Sequence, residues 1–141
     1  MTQKPKISII TIVKNGMPNL IDNLESFKKQ KYKNKELIVV YSKSDDKTLK
    51  ILKSSKSIKK IIYQKKPNLY GAINLGLKNT SGDVIGILHS DDIFFSSKSL
   101  EIVMKSYIKD KFDIAYGNIL ISKKNNFKVV IRNWKSKPFK K

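Results

Sequence analysis

Residues 81–92 read Ser-Gly-Asp-Val-Ile-Gly-Ile-Leu-His-Ser-Asp-Asp, and this stretch is the most informative part of the sequence. A turn signal is followed by an apolar run, Val84–His89, and then by two adjacent carboxylates. A short apolar run between polar turns is typical of a strand that is covered on both faces. We therefore expect Val84–His89 to form a buried, central strand, with Asp91 and Asp92 at its carboxyl end.

The same pattern precedes this stretch three times. Apolar, β-rich runs predict strands over Ile7–Val13, Glu36–Tyr41 and Ile58–Tyr63. Each is followed by residues at helical spacing. The first such segment is opened by Pro18 and Asn19 and carries Leu20, Ile21, Leu24 and Phe27. The second is Thr48–Ser55 and the third is Tyr70–Lys78, whose Ala72, Ile73 and Leu77 are expected to face the core. Such alternation predicts an α/β fold with a mainly parallel sheet flanked by helices.

Beyond Asp92 the pattern changes. A helix is predicted over about Ser97–Ile108, followed by a strand pair, Ile119–Ser122 and Phe127–Arg132. The polar tract Lys123–Asn126 is the predicted turn between these two strands.

Length and composition limit the class of protein. The chain has 141 residues, 40% of them hydrophobic, and no cysteine. We expect residues 1–141 to form a single domain. Disulfides, thiolate metal sites and cysteine nucleophiles are excluded. No apolar run reaches the roughly 18 to 20 residues that a membrane span requires, so a cytoplasmic protein is expected.

The formal net charge of +19 favours polyanions or anionic membranes as partners. However, 29 of the 30 basic residues are Lys and only Arg132 is Arg. Recognition of phosphates and bases usually uses the bidentate guanidinium group, so the composition argues against nucleic acid as a partner. A codon bias toward A and T is the favoured explanation of the charge, and peripheral contact with an anionic membrane stays open.

Ligands of open α/β sheets bind beyond the carboxyl ends of the strands. This rule selects three loops: Lys14–Pro18, Ser42–Lys47 and Ser90–Phe94. Two of them contain the only adjacent acidic pairs in the chain, Asp45-Asp46 and Asp91-Asp92.

Each acidic pair has two interpretations. Asp91 and Asp92 offer the hard oxygen ligands that Mg²⁺ or Mn²⁺ prefers beside a diphosphate, or one of them caps the following helix. Asp45 or Asp46 contacts a nucleoside, or caps the helix that follows it. His89, the only histidine, either touches a ligand or packs at the strand end. Neither a G-x-G-x-x-G motif nor a phosphate loop is present, which excludes dehydrogenase and P-loop sites.

In chain order, these motifs resemble those of family 2 glycosyltransferases with the GT-A fold, most closely the small bacterial enzymes that build surface polysaccharides. The resemblance covers nearly the whole chain and is carried by Ile7–Gly16, Leu24–Gln30, Glu36–Val40, Pro67–Gly76, Ser81–Asp92, Tyr116–Asn118 and Trp134–Phe139. An ordered series of motifs is more specific than any one of them.

The resemblance implies a nucleotide-diphospho-sugar donor and a divalent metal, Mn²⁺ or Mg²⁺, bound by Asp91 with support from Asp92. It implies that the loops after the first two strands hold the nucleoside. The donor-binding residues that it implies are Thr11, Val13, Lys14, Tyr41, Ser44, Asp46, Tyr70, Asn74, His89 and Ser90.

Several positions depart from the family pattern. Tyr41 stands where the family usually has an Asp that binds the base, which implies that base recognition is altered or lost, and Ser42, Lys43 and Lys47 replace glycines common in the next loop. His89 occupies the first acidic position of the family's D-x-D element, and Gly71 stands where close relatives have Asp.

The resemblance also implies inverting transfer to a glycan or lipid-linked acceptor. The general base and most of the acceptor site are expected beyond Lys141, so this chain is predicted to be an incomplete, donor-binding half. An inactive remnant that binds anionic lipid or nucleic acid through its lysines is the alternative. The expected location is cytoplasmic, with peripheral contact at the inner face of the membrane.

Overall fold

The computed structural model describes residues 4–123 and 126–137. Its elements, in chain order, are β1 (Ile7–Val13), α1 (Asn19–Lys28), β2 (Lys35–Ser42), α2 (Thr48–Ser54), β3 (Lys60–Gln64), α3 (Leu69–Leu77), β4 (Val84–Ile87), α4 (Ser99–Asp110), β5 (Ile119–Lys123) and β6 (Asn126–Trp134). The chain forms two compact units, Met1–Lys109 and Asp110–Lys141. A single domain over residues 1–141 stays a prediction.

The first unit is built on a four-stranded sheet with the order β3-β2-β1-β4. All three strand pairings are parallel, and β1 pairs with β2 on one side and with β4 on the other. The predicted parallel α/β sheet is confirmed. Because the strands are parallel, their carboxyl ends all lie at one edge, which we call the carboxyl edge; the opposite edge is the amino edge.

The core lies around β1 and β2, the two inner strands. Ile10, Leu37 and Ile38 are completely buried, as their continuous apolar runs predict. Leu20 of α1 and Leu52 of α2 are also inaccessible to solvent. These apolar faces fix the helices on the sheet and thereby set the positions of the loops at the carboxyl edge.

The prediction that Val84–His89 is a buried, central strand is wrong in two respects. The strand ends at Ile87, and among the described residues it is an outer strand with one neighbour. Ile85 is 43% and Ile87 is 48% exposed. A continuous apolar run does not distinguish an outer strand from an inner one, because the covering element is not part of the run.

Two other expectations need correction. The third strand is Lys60–Gln64 rather than Ile58–Tyr63. Leu77, expected in the core, is 39% exposed, whereas Gly76 beside it is buried. A β-carbon at Gly76 would lie 2.6 Å from Cγ2 of Ile10. The helix therefore approaches β1 through a glycine, and this close approach turns Leu77 outward.

Glu36 ties together the amino edge. Its buried carboxylate accepts hydrogen bonds from Ser8 Oγ of β1 at 2.6 Å and from the Ser81 backbone N–H before β4 at 2.7 Å. It also forms ion pairs with Lys6 and Lys59, at 2.6 and 2.5 Å. Burial alone would raise the pKa of Glu36, but these donors outweigh it and hold the pKa well below its ordinary value.

The second unit contains an antiparallel pair, β5 and β6, which confirms the predicted strand pair. The centre of its predicted turn, residues 124–125, lies outside the described residues. Every residue of β6 is exposed, including Trp134, over whose ring the Arg132 guanidinium lies at 5.4 Å from the centroid.

Among residues 4–123 and 126–137, no helix has both the length and the apolar character that crossing a bilayer would take.

Candidate functional site

Three loops meet at the carboxyl edge. They follow β1, β2 and β4, and β1 lies between the other two strands. The loop after β1 is therefore flanked by the loops after β2 and β4. These are the three loops that the sequence selects.

The loops after β1 and β2 are held to each other by hydrogen bonds. The Asn15 backbone N–H donates to Ser44 Oγ at 2.9 Å, and the Asp45 N–H donates to Asn15 Oδ1 at 2.9 Å. The Gly16 N–H donates to Thr48 Oγ1 at 2.8 Å. Asn15 adopts a left-handed conformation, with φ of 49°, which Asn tolerates better than most residues. The two loops thus form one fixed platform.

Asp46 acts within this platform. One carboxylate oxygen accepts from the Thr48 N–H at 2.9 Å, at the start of α2, and the other accepts from the Met17 N–H at 3.0 Å. The hydrogen bond with Thr48 holds the pKa of Asp46 below its ordinary value. Asp46 thus satisfies the first backbone N–H of α2 from the position before the N-cap residue, Lys47, and also links α2 to the loop after β1.

Three of the predicted donor-binding residues are buried: Thr11, Val13 and Tyr41. Tyr41 Oη accepts a hydrogen bond from the Ser44 N–H at 3.2 Å. The Tyr41 side chain therefore stabilises the platform through its hydrogen bond with Ser44. Thr11 Oγ1 is fully buried and has no hydrogen-bond partner among the described residues.

Five of the predicted residues present themselves to solvent. Lys14, Asn74 and His89 are exposed, Ser90 is half-buried, and Tyr70 is 77% exposed. Tyr70 and Asn74 lie four residues apart in the first turns of α3, which places them on one helix face. Because α3 follows β3, its first turn lies toward the carboxyl edge.

The segment His89–Asp92, which we call the acidic turn, follows β4 directly. The Asp92 N–H donates to the His89 carbonyl at 3.0 Å. Both carboxylates are solvent-accessible, and within the described chain neither forms an ion pair with Lys or Arg. Partial burial raises the pKa of Asp92, the neighbouring charge of Asp91 raises it further, and His89 opposes this shift.

The interpretation of Asp91 or Asp92 as a helix cap is wrong. The next helix, α4, begins at Ser99, seven residues beyond Asp92. At the start of α4, Ser99 Oγ accepts a hydrogen bond from the Ser96 N–H at 3.1 Å. The two carboxylates are thus left without a structural partner of this kind.

The acidic turn fits a divalent cation in its chemistry. Partial burial and, second, the adjacent charge of Asp91 raise the pKa of Asp92, and a cation beside the two carboxylates would offset their mutual repulsion. No group of three or more His, Cys, Asp or Glu that could hold a metal occurs in the described segments. The two carboxylates of the turn suit a cation such as Mg²⁺, which takes one or two carboxylates and fills its other positions with water and phosphate.

Asn23 is a residue that the sequence analysis missed. It lies on α1, is fully buried, and its Nδ2 donates to the carbonyls of His89 and Asp92, at 2.7 and 2.8 Å. The available signal was a polar residue between the apolar positions Leu20, Leu24 and Phe27. Asn15, also missed, was marked only by its Asn-Gly turn signal.

A groove of about 560 Å³ lies between α1 and α2 in the same unit. It is lined by Ile21, Leu24, Ile51 and their neighbours, with Lys28 and Lys56 among them. It includes no predicted donor-binding residue, so it is not part of the candidate site.

The chain is similar to known proteins in its sequence and in its fold. Residues 8–141 match the family described as Glycosyl transferase family 2. The chain is 35% identical over 122 residues to the UDP-Glc:alpha-D-GlcNAc-diphosphoundecaprenol beta-1,3-glucosyltransferase WfgD of Escherichia coli, covering 85% of this chain and 48% of WfgD. It is 35% identical over 116 residues to glycosyltransferase GlyA of Streptococcus pneumoniae serotype 4, covering 80% of this chain and 16% of GlyA.

Solved structures show the same fold. S. aureus TarS 1-349, in complex with UDP-GlcNAc, superposes with a TM-score of 0.69 and 23% identity, over 83% of this chain and 34% of that one. Mannosyltransferase PcManGT from Pyrobaculum calidifontis, in complex with GDP-Man and Mn²⁺, gives 0.66 and 19%, over 90% and 38%. The sheet and its helices therefore have the GT-A fold.

The chain is short against these proteins. It spans 16% to 48% of the lengths of the two curated relatives described above. The match to the family nevertheless extends over almost every residue of the chain, from Ser8 onward. This protein belongs to glycosyl transferase family 2.

Proposed function

We propose that this chain binds a nucleotide-diphospho-sugar at the carboxyl edge and serves the transfer of that sugar to an acceptor hydroxyl. The observation that carries the proposal is the acidic turn, whose two accessible carboxylates form no ion pair with a described Lys or Arg, at an edge where two neighbouring loops form a fixed platform. Relatives that are named as glycosyltransferases, and structural neighbours in complex with UDP-GlcNAc and GDP-Man, support it.

The donor-binding residues divide into two groups. Lys14, Tyr70, Asn74, His89 and Ser90 have solvent-accessible side chains and are proposed to contact the donor directly. Thr11, Val13, Tyr41, Ser44 and Asp46 are buried or engaged in protein hydrogen bonds, and are proposed to shape the platform on which the nucleoside lies.

Asp91 and Asp92 are proposed to hold Mn²⁺ or Mg²⁺. A bound divalent cation supplies positive charge beside the departing diphosphate, where negative charge grows as the glycosidic bond breaks. The two carboxylates place this charge at the carboxyl end of β4, and Lys14, after β1, adds a second positive charge at the same edge.

The acceptor is proposed to be a glycan or a lipid-linked sugar, with inversion at the transferred carbon. The name of WfgD specifies a GlcNAc-diphosphoundecaprenol acceptor and a β-1,3 product, which supports both parts for this relative. Inverting transfer needs a general base near the acceptor hydroxyl, and such a base contributes roughly 10²- to 10⁴-fold to the rate. That group is proposed to lie outside residues 1–141.

Peripheral contact with an anionic membrane at the cytoplasmic face is part of the same proposal. The net charge of +19 favours an anionic lipid surface. A lipid-linked acceptor would be presented at such a surface.

The test is calorimetric titration of the chain with UDP and with GDP, each in the presence and absence of Mn²⁺. We expect one of the two nucleotides to bind in a Mn²⁺-dependent manner, and Asp91→Asn to weaken that binding at least about tenfold because a hard-oxygen ligand loses its charge. Asp113→Asn, in the second unit, removes the same charge elsewhere and is the matched control.

The absence of Mn²⁺-dependent binding for both nucleotides would contradict the proposal. Equal affinity of Asp91→Asn and the wild type would do so as well. Salt-sensitive binding to anionic vesicles that survives Asp91→Asn, without any nucleotide binding, would instead favour the basic interaction module.

A further inference from the structure

Three polar side chains, which we call the polar stripe, lie on α1 and just after its end: Asn23, Ser26 and Gln30. Asn23 and Ser26 are three residues apart and so lie along one side of the helix, and Gln30 follows two residues beyond its last residue, Lys28. Asn23 and Gln30 are 0% and 3% exposed. Polar groups in such positions are expected to be hydrogen-bonded, and their partners show what the stripe does.

All three side chains hold the backbone between β4 and α4. Asn23 Nδ2 donates to the carbonyls of His89 and Asp92. Ser26 Oγ accepts from the Phe94 N–H at 3.2 Å. Gln30 Nε2 donates to the Ser96 carbonyl at 2.8 Å, and its Oε1 accepts from the Leu100 N–H at 3.0 Å. The segment after β4 is therefore fixed by side chains of α1 near its first residues and by Gln30, just after α1, near the start of α4.

Asn23 acts on the acidic turn itself. Its two bonds reach the first and last residues of the turn, so the amide spans the backbone on which Asp91 lies. Both acceptors are carbonyl oxygens, so only the –NH₂ group can face them; the flipped amide would set Oδ1 against two oxygens.

Asn23 is present although its side-chain oxygen lowers stability, which indicates that its role lies in the hydrogen bonds that its –NH₂ group donates. Its Oδ1 is buried and has no hydrogen-bond partner among the described residues. An unpartnered buried acceptor lowers stability. An apolar residue at this position would avoid that loss, as Leu20, Leu24 and Phe27 do on the same helix.

We propose that Asn23 is a positioning residue that holds the acidic turn in the shape required to bind a divalent cation and diphosphate. This inference rests on the proposed function of Asp91 and Asp92. Asn23 does not touch the ligand; it fixes the carbonyls at both ends of the turn and thereby limits the positions of the two carboxylates. Residues that orient metal ligands in this way typically contribute 10- to 100-fold to metal affinity.

The test compares Asn23→Leu with Gln30→Met. Each substitution keeps the approximate size of the side chain and removes its hydrogen bonds to the segment after β4. Gln30 bonds to Ser96 and Leu100 rather than to the acidic turn, so Gln30→Met is the matched control for a purely structural role. Mn²⁺-dependent binding of UDP or GDP and thermal unfolding are measured for both.

Asn23→Leu is expected to weaken Mn²⁺-dependent nucleotide binding about 10- to 100-fold. Gln30→Met is expected to change this binding by less than about twofold, even if its melting temperature falls as much as that of Asn23→Leu. The reason is that the proposed metal ligands lie in the acidic turn, which Gln30 does not contact. If the two variants lose affinity in parallel with their melting temperatures, Asn23 is structural only and the inference is wrong.

A second readout needs no ligand. Backbone hydrogen exchange of the free chain should accelerate about tenfold or more at residues 89–92 in Asn23→Leu, and at residues 96–100 in Gln30→Met. Unchanged exchange at residues 89–92 in Asn23→Leu would overturn the inference. If Asn23→Leu does not fold, Asn23→Ser, which is too short to reach both carbonyls, takes its place with the same expectations.

The two proposals fail in different ways. If the wild type shows no Mn²⁺-dependent binding of either nucleotide, the proposed function fails, whatever the exchange rates show. If the wild type binds and Asn23→Leu binds equally well, only the role of Asn23 fails.

Discussion

The amino and carboxyl edges of the sheet treat carboxylates in opposite ways. At the amino edge, Glu36 is buried, paired with two lysines and hydrogen-bonded to two serines, and its pKa is lowered. At the carboxyl edge, Asp92 lies beside Asp91 without a Lys or Arg partner in the described chain, and its pKa is raised. The chain has 30 basic residues, so a shortage of lysines does not explain why the acidic turn has no Lys or Arg partner among the described residues.

The difference separates a carboxylate that the protein itself neutralises from two that have no Lys or Arg partner among the described residues. Glu36 joins the amino ends of β1, β2 and β4, so its negative charge is satisfied by the protein itself. The acidic turn keeps its charge available, which is an arrangement typical of ligand sites. The same substitution, carboxylate to amide, should therefore affect stability at one edge and binding at the other.

The largest effect on stability is expected for Glu36→Gln. The amide cannot form the two ion pairs and can accept at only one oxygen, so the free energy of unfolding should fall by about 2–4 kcal/mol. Urea denaturation at pH 7 measures this change. Glu25→Gln breaks the exposed pair with Lys28 on α1 and should cost less than about 0.5 kcal/mol. A loss for Glu36→Gln no greater than that of Glu25→Gln would remove the contrast between the edges.

The contribution of Glu36 should also depend on pH. Its pKa in the folded state is lowered from the ordinary value of 4.5, so its contribution is fully present above about pH 4.5 and is lost as the pH falls toward the folded-state pKa. The stability difference between the wild type and Glu36→Gln should accordingly be constant from pH 7 to about pH 5 and shrink below about pH 4.5. Urea titrations at pH 7, 5, 4 and 3 test this; a difference that stays constant down to pH 3 would contradict it.

Much of this architecture follows from the sequence. The runs that form β1 and β2 are apolar along both faces, and both strands are buried as expected. The outer position of β4 was not predictable, because its run is as apolar as theirs and the difference lies in which strand pairs with which.

The candidate site, like the fold, can be predicted from the sequence only in part. The acidic pairs are visible in the sequence, and the rule of the carboxyl edge brings their loops together. The sequence does not show which polar and charged side chains are engaged in contacts within the protein. Asp46, Glu36 and Asn23 all act through contacts between residues at least 28 positions apart.

Asp92→Asn is the counterpart of Glu36→Gln at the carboxyl edge. Because the substitution relieves repulsion with Asp91, the free energy of unfolding should change by less than about 0.5 kcal/mol, in the direction of greater stability. Solvent screens both groups, so the gain is small. Mn²⁺-dependent nucleotide binding should weaken at the same time. A destabilisation as large as that of Glu36→Gln would show that the acidic turn is a structural element.

The smallest effect on nucleotide binding is expected at Thr11, in the strand between the two edges. Its hydroxyl is fully buried without a hydrogen-bond partner among the described residues, so Thr11→Val removes an unsatisfied polar group from a site of nearly the same shape. Stability should rise by up to about 1 kcal/mol in urea denaturation, and Mn²⁺-dependent nucleotide affinity should stay within about twofold. The resemblance to family 2 glycosyltransferases implies that Thr11 helps to bind the donor, and burial restricts any such role to shaping the platform. A marked loss of affinity with unchanged stability would mean instead that the hydroxyl becomes accessible to the nucleotide.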